Sequence, residues 1–144
     1  MSWFQKEIRL SVRPRGFHVI TGDIVEQVPE IRHYAVGLAH IFIKHTSASL
    51  TLNENADPTV RVDMESHFNA MVPESAGYLL HTTEGPDDMT SHIKVAILGS
   101  SVTIPISDGR LNMGTWQGIY LCEHRNRAGP RRLVVTISGE LKRG

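Results

Sequence analysis

The sequence predicts an α+β fold, a β-rich mixed or antiparallel sheet sandwich carrying two or three helices. Three observations point there. Segments with two-residue alternation of apolar side chains stand at both ends of the chain. Segments with helical spacing lie between them, and Gly- or Pro-containing turns punctuate the whole. The 144 residues, 40% of them apolar, suffice for one core, so 1–144 reads as a single domain.

Ile8, Leu10 and Val12 alternate with polar residues as in a half-buried strand, which Pro14-Arg15-Gly16 ends. Phe17–Ile20 continues as a second strand. Ile24, Val28 and Ile31 follow at helical spacing, with Pro29 shortening that helix. His40–Lys44 is β-rich with Ile41 and Ile43 on one face, and Ser49–Leu52 reads as its partner strand. Asp57 then caps a helix with Pro58 in its first turn. Val60, Met64, Phe68 and Met71 line one side of it, and Pro73 stops it. A shorter helix spans about Thr90 to Leu98, with Ile93 and Ile97 inward and Gly99 as its stop. The remainder, Ser101–Ile106, Gly118–Glu123 and Arg132–Ser138, is strand-like, with turns at Asp108-Gly109 and Ala128-Gly129-Pro130.

Lys plus Arg equals Asp plus Glu at 15 each, so the basic excess of a nucleic-acid footprint is missing. No apolar run reaches bilayer length, and the first residues carry no signal-like apolar stretch, so the expectation is a cytoplasmic protein without a membrane partner. The single cysteine, Cys122, excludes an intramolecular disulfide and reads as a small buried apolar residue.

Three polar runs carry the candidate chemistry and are expected to form one site. In the first, His45, Thr46 and Ser47 end a strand, and Asn53, Asn55 and Asp57 alternate ahead of a helix N-terminus, a setting suited to an anion. The second, His81 to Lys94, packs Glu84, Asp87, Asp88 and His92 together, and Asp88 and His92 share a helix face if the helix begins early. His45, His81 and His92 form a candidate zinc-type triad, provided that they converge in space. In the third, Thr115, Gln117 and Arg125 add polar groups. Glu123 ends an apolar strand, where an acid either pairs with Arg125, Arg131 or Arg132 or acts as a base. Ser47 and Ser49 lack the Gly-x-Ser-x-Gly elbow of serine hydrolases.

The strings HTSASLTLNENADPTVRVDME, EGPDDMTSHIK, LGSSVTIPI and MGTWQGIYLCEHR closely resemble signature segments of the YjbQ-like family, whose members carry the name secondary thiamine-phosphate synthase. The resemblance spans nearly the whole chain. It implies a homotrimer with a polar pocket for a metal and an anion, and matches the family's histidines to His45, His81 and His92. Tyr78 and His81 have one extra residue between them, and Thr90 stands where relatives have proline. The activity implied joins a thiazole phosphate to an aminopyrimidine diphosphate. A metal with Glu84, Asp87 or Asp88 would hold the diphosphate, and Lys94 or an arginine would neutralise the leaving group. Thr46, Ser47, Asn53, Asn55, Asp57, Thr115, Gln117 and Arg125 would bind substrate. Three histidines suit zinc better than the magnesium that diphosphate chemistry uses. The alternatives are therefore a metal-dependent hydrolase or lyase of a small phosphorylated metabolite, and a non-catalytic trimeric binding protein.

Overall fold

The computed structural model describes residues 1–144. Eight strands and three helices follow one another as β1 (Ser2–Leu10), β2 (Gly16–Val19), α1 (Thr21–Gln27), β3 (Tyr34–Ile43), β4 (Ala48–Glu54), α2 (Pro58–Met71), α3 (Pro86–Leu98), β5 (Ser101–Ser107), β6 (Arg110–Leu111), β7 (Gln117–Glu123) and β8 (Arg131–Leu141). Pro29 ends the helical pattern of α1 as expected, and a 3-10 turn, Pro29–His33, carries the chain into β3. No helix is long and apolar enough to cross a membrane.

The strands form two antiparallel sheets, one ordered β1-β8-β3-β5-β6 and the other β2-β7-β4. Two-residue alternation turns Ile8, Leu10, Ile41, Ile43, Leu133 and Val135 of the large sheet toward Leu50, Ile119 and Leu121 of the small one. Ile24, Val28 and Ile31 close this core at one edge, each at most 2% exposed. The small sheet is covered on its other face too. There Phe17, Tyr120 and Cys122 meet Phe68 and Met64 of α2 and Leu98 of α3. The outer face of the large sheet carries no helix, as an antiparallel sheet allows.

Four expectations are corrected. β4 does not pair with β3: it lies in the small sheet beside β7. The apolar residues of β4 match either partner, so alternation alone does not tell the two sheets apart. Helix α3 starts at Pro86, four residues before Thr90, because Gly85 at φ +105° delivers the chain to a proline suited to a first turn. Its buried face is polar, consisting of Asp87, Asp88, Thr90, Ser91 and Lys94, while Ile97 is 53% exposed. In α2, Phe68 is buried but Met71 at the end of the predicted stripe is exposed. Cys122 is buried as expected, and burial pushes its thiol pKa up.

Gly37 and Gly139 face one another across β3 and β8, next to the register shift between Tyr34 and Val36. A Cβ on Gly139 would come within 2.2 Å of the Val36 carbonyl oxygen, and backbone cannot move aside as a flexible side chain can. Gly139→Ala is expected to destabilise the fold by about 1–3 kcal/mol, the usual range for overpacking, measured by urea unfolding.

Candidate metal centre

The early start of α3 places Asp88 and His92 one turn apart on a single face. His81, on the segment between α2 and α3, meets them there. His81 Nε2 lies 2.7 Å and His92 Nε2 3.3 Å from the same oxygen, Asp88 Oδ2. One ligand-capable atom from each residue lies within 4.8 Å of the other two, and the two imidazole centroids are 5.5 Å apart. The Asp88 side chain is 3% exposed, His92 30% and His81 48%, so the cluster is anchored below and open above.

Asp88 is held from beneath. Arg125 Nη1 donates to its Oδ1, Arg125 Nε donates to Asp87 Oδ2 at 3.0 Å, and Arg125 Nη2 donates to the Glu84 carbonyl at 3.0 Å. The Asn126 backbone N–H also donates to Asp87 Oδ2, at 2.8 Å. Burial pushes the Asp88 carboxyl pKa up, but the His81 hydrogen bond, His92 and Arg125 together hold it below the ordinary value. Asp87 is lowered in the same way, burial being outweighed by backbone N–H donors and Arg125.

His92 Nδ1 lies 2.7 Å from the Thr46 carbonyl oxygen. A carbonyl only accepts, so Nδ1 carries the hydrogen and Nε2 is the ring atom turned toward Asp88 Oδ2. A backbone acceptor on the distal nitrogen is the usual device for orienting a metal-binding imidazole. Two imidazole nitrogens and one carboxylate oxygen are a donor set that fits a borderline divalent ion such as zinc.

His45 does not join this cluster. Its Nε2 accepts the Arg132 backbone N–H at 2.9 Å, which uses the lone pair a metal would need and leaves the hydrogen on Nδ1. Asp88 takes the third place instead. Burial, Arg131, Arg132 and Lys44 lower the His45 pKa against the pull of Glu123. His45 nevertheless faces the same open trough. A cavity of about 420 Å³ is lined by His45, Thr46 and Ser100 on one side and by His92 and Val95 on the other.

The remaining candidates separate into anchors and bystanders. Glu123 is a pairing residue and not a base: Arg131 donates to both of its oxygens at 2.7 and 2.5 Å, and the pair is buried. Lys94 is 1% exposed and donates to Asn69 Oδ1 at 2.7 Å, out of reach of a leaving group in the trough. The Glu84 residue is exposed, and its backbone carbonyl is the group that takes part. Thr46 and Ser47 line the trough, whereas Arg125 is committed to the two aspartates. Asn53, Asn55, Asp57, Thr115 and Gln117 lie elsewhere. Ala48 of β4 faces Glu123 and Glu54 faces Gln117, so this group sits at the opposite end of the ladder, about 20 Å away at the rise of an extended strand. Their side chains stabilise turns there. Asn55 donates to the carbonyls of Thr115 and Gln117, Gln117 accepts from Gly114 N–H, and Asp57 caps α2 through Thr59. The three polar runs therefore form two separate places.

Sequence reasoning missed a buried polar layer under α3. Asn69 Oδ1 receives both Lys94 and Arg15 at 2.7 Å, and Arg15 also donates to Glu65, Glu74 and Asn126. Beside it His124 Nε2 lies 2.9 Å from Ser49 Oγ, the serine wholly buried and the histidine 1% exposed. The sequence signal was the largely polar start of α3, Asp87, Asp88, Thr90, Ser91 and His92 around Met89, one turn of which had to face inward.

The fold and the cluster define an α+β protein of two packed sheets with a candidate two-histidine, one-aspartate centre at one end of the small sheet. A family model described as "UPF0047 protein YjbQ-like" matches residues 6–140. The chain belongs to that family. It is 54% identical over 138 residues to the UPF0047 protein YjbQ of Salmonella typhimurium, covering 96% of this chain and 99% of that one. It is 42% identical over 123 residues to a UPF0047 protein of Methanocaldococcus jannaschii, covering 84% and 83%. Among solved structures, a YbjQ-like protein of unknown function from Sulfolobus solfataricus superposes with TM-score 0.84 at 26% identity, over 96% of this chain and 99% of that one. An uncharacterized family member from Clostridium acetobutylicum gives 0.79 at 36% identity, over 92% and 99%.

Burial, Lys94, Arg15 and Arg131 push the His124 pKa down to about 3. Between that value and the ordinary value of about 6.5 the unfolded chain binds a proton that the folded chain refuses, so stability is lost as pH falls through this window. His124→Asn is expected to remove about 2 kcal/mol of the acid destabilisation between pH 6.5 and pH 5, at about 1.4 kcal/mol per pH unit. Urea unfolding of both chains across that range gives the comparison.

Proposed function

We propose that this chain is a divalent-metal-dependent hydrolase or lyase acting on a small metabolite, with His81, Asp88 and His92 as the metal ligands. The observation that carries the reading is the convergence of two imidazole Nε2 atoms on one carboxylate oxygen, with His92 held at Nδ1 by the Thr46 carbonyl so that Nε2 is the atom presented. Such an ion, when bound, supplies Lewis-acid polarisation of a substrate oxygen or of water. The chain's own residues do the rest. Arg125 fixes the rotation of Asp88, Asp87 fixes Arg125, and the exposed side of His81 leaves the centre open to a ligand entering along the trough. The Nδ1–H of His45 is a donor without a partner in the chain and can orient a polar substrate group.

The geometry favours this reading over thiamine-phosphate synthesis. Magnesium holding a diphosphate calls for oxygen donors, and of the carboxylates available for that task Asp87 and one oxygen of Asp88 are consumed by Arg125. A homotrimer remains part of the proposal as the family resemblance implies it.

The test is metal content. Purified protein equilibrated with zinc, manganese or iron is expected to bind one ion per chain. His81→Ala, His92→Ala and Asp88→Asn should each weaken binding by 10-fold or more (about 1.4 kcal/mol per factor of ten), with His45→Ala retaining it. Retention by all three ligand variants would overturn the reading. Formation of thiamine phosphate from the two precursors by metal-loaded protein, lost in His92→Ala, would reinstate the synthase.

A further inference from the structure

At the end of the large sheet nearest the trough, three cations stand side by side on the outer face. Arg9 of β1 is the direct cross-strand partner of Arg132 of β8. Lys44, just beyond β3, donates its backbone N–H to the Arg132 carbonyl at 3.1 Å and so extends the row. Their neighbours Ile8, Leu10, Leu133 and Ile43 point into the core, which turns all three outward, and all three are exposed. Only Lys44 has an acidic partner, Glu7 at 2.8 Å. Like charges placed directly opposite in a sheet destabilise it; Glu7 also attracts Arg132, so three cations share this one carboxylate and the row keeps a net positive charge.

The row borders a cavity of about 490 Å³ lined by Phe42, Lys44, His45, Thr46, Ser47 and Ser100. His45, Thr46 and Ser100 also line the cavity that reaches His92. The two cavities adjoin as one trough through these shared residues, with His92 at one end and Lys44 of the basic row at the other. Along it stand the Nδ1–H of His45 and the hydroxyls of Thr46, Ser47 and Ser100, none of which is hydrogen-bonded within the chain.

We infer that the end formed by Arg9, Arg132, Lys44 and His45 seats a phosphoryl group of the substrate, whose other end reaches His81, Asp88 and His92. The inference deepens the metal-enzyme reading and rests on it for the position of the reacting group. Two unpaired guanidinium groups, an imidazole N–H and several hydroxyls match the charge and the multiple acceptors of a phosphate monoester better than a single carboxylate. The size of the trough suits a small metabolite.

The experiment titrates inorganic phosphate into the full chain freed of metal with EDTA, following amide shifts by NMR and affinity by calorimetry. Phosphate is expected to shift His45, Thr46 and Arg132. An Arg9→Gln, Arg132→Gln double variant, both surface changes, should bind it about tenfold more weakly or worse, the loss expected for one or more charge-assisted hydrogen bonds. Arg110→Gln on the opposite edge should bind as the parent does. His81→Ala should keep phosphate affinity even where it loses metal, so the two readings fail separately. Equal affinity in the double variant, shifts confined to His81 and His92, or response to phosphatidylserine vesicles with none to phosphate would each overturn the inference.

Discussion

A carboxylate buried to 3% exposure at the start of a helix is the constraint around which one end of this protein is organised. An ionised group so placed costs several kcal/mol unless it is paired and hydrogen-bonded. Asp88 meets that requirement with one oxygen, through Arg125, and with a position in the first turn of α3, where the helix dipole favours negative charge. The arrangement ties the helical layer to the loop after β7. It also fixes the rotation of the carboxylate, so that the second oxygen has one direction left, toward His81 and His92. The open side of the cluster is a consequence of how its closed side is paired.

The same constraint explains why α3 lies on the sheet with its polar face. Once Asp87 and Asp88 are directed down toward Arg125, the 3.6-residue period brings Ser91 and Lys94 inward and leaves Ile97 in solvent. The space beneath must then be filled by groups that satisfy polar partners. Asn69, Arg15, Glu65 and Glu74 do so on one side, and the Ser49–His124 pair does so on the other. Such a layer gains less from the hydrophobic effect than an apolar one. Its hydrogen bonds are directional, however, and removing any one partner leaves a buried charge or dipole exposed to no solvent. That directionality fixes the helix at the rotation the cluster requires.

Most of the fold was legible because it rests on apolar alternation. Ile8 with Leu10, Ile41 with Ile43, and Ile24 with Val28 and Ile31 all reach the core that their spacing predicts. Sheet membership was not legible for β4, since its partner strand, β7, lies some seventy residues away. The inward face of α3 was misread because Ile93 and Ile97 offered a simpler stripe than a polar face whose partners come from the loop after β7, α2 and the loop before β2. Grouping the three polar runs into one site failed for a geometric reason. Both ends of β4 and of β7 are polar, and a strand's length holds those ends apart. Asp88 with His92 was readable as a pair once the helix start was right. Nothing in the spacing told His45 apart from a ligand, because the group that excludes it is a backbone N–H from residue 132.

His45 and His92 line one cavity, and their chemical roles are opposite because their backbone partners are opposite. A carbonyl, from Thr46, takes the Nδ1 hydrogen of His92 and leaves Nε2 as the atom presented toward Asp88. An amide, from Arg132, takes the Nε2 lone pair of His45 and leaves a hydrogen facing outward. A lone pair attracts a cation and a donor attracts an anion. The strand end at residues 45 and 46 thus sets the polarity of both rings through hydrogen bonds that cost no side-chain charge. The positive row beside His45 and the carboxylate beside His92 each reinforce the polarity already present. A ligand that uses the whole trough therefore turns its negative end toward the arginines and its cationic end toward His92 and Asp88.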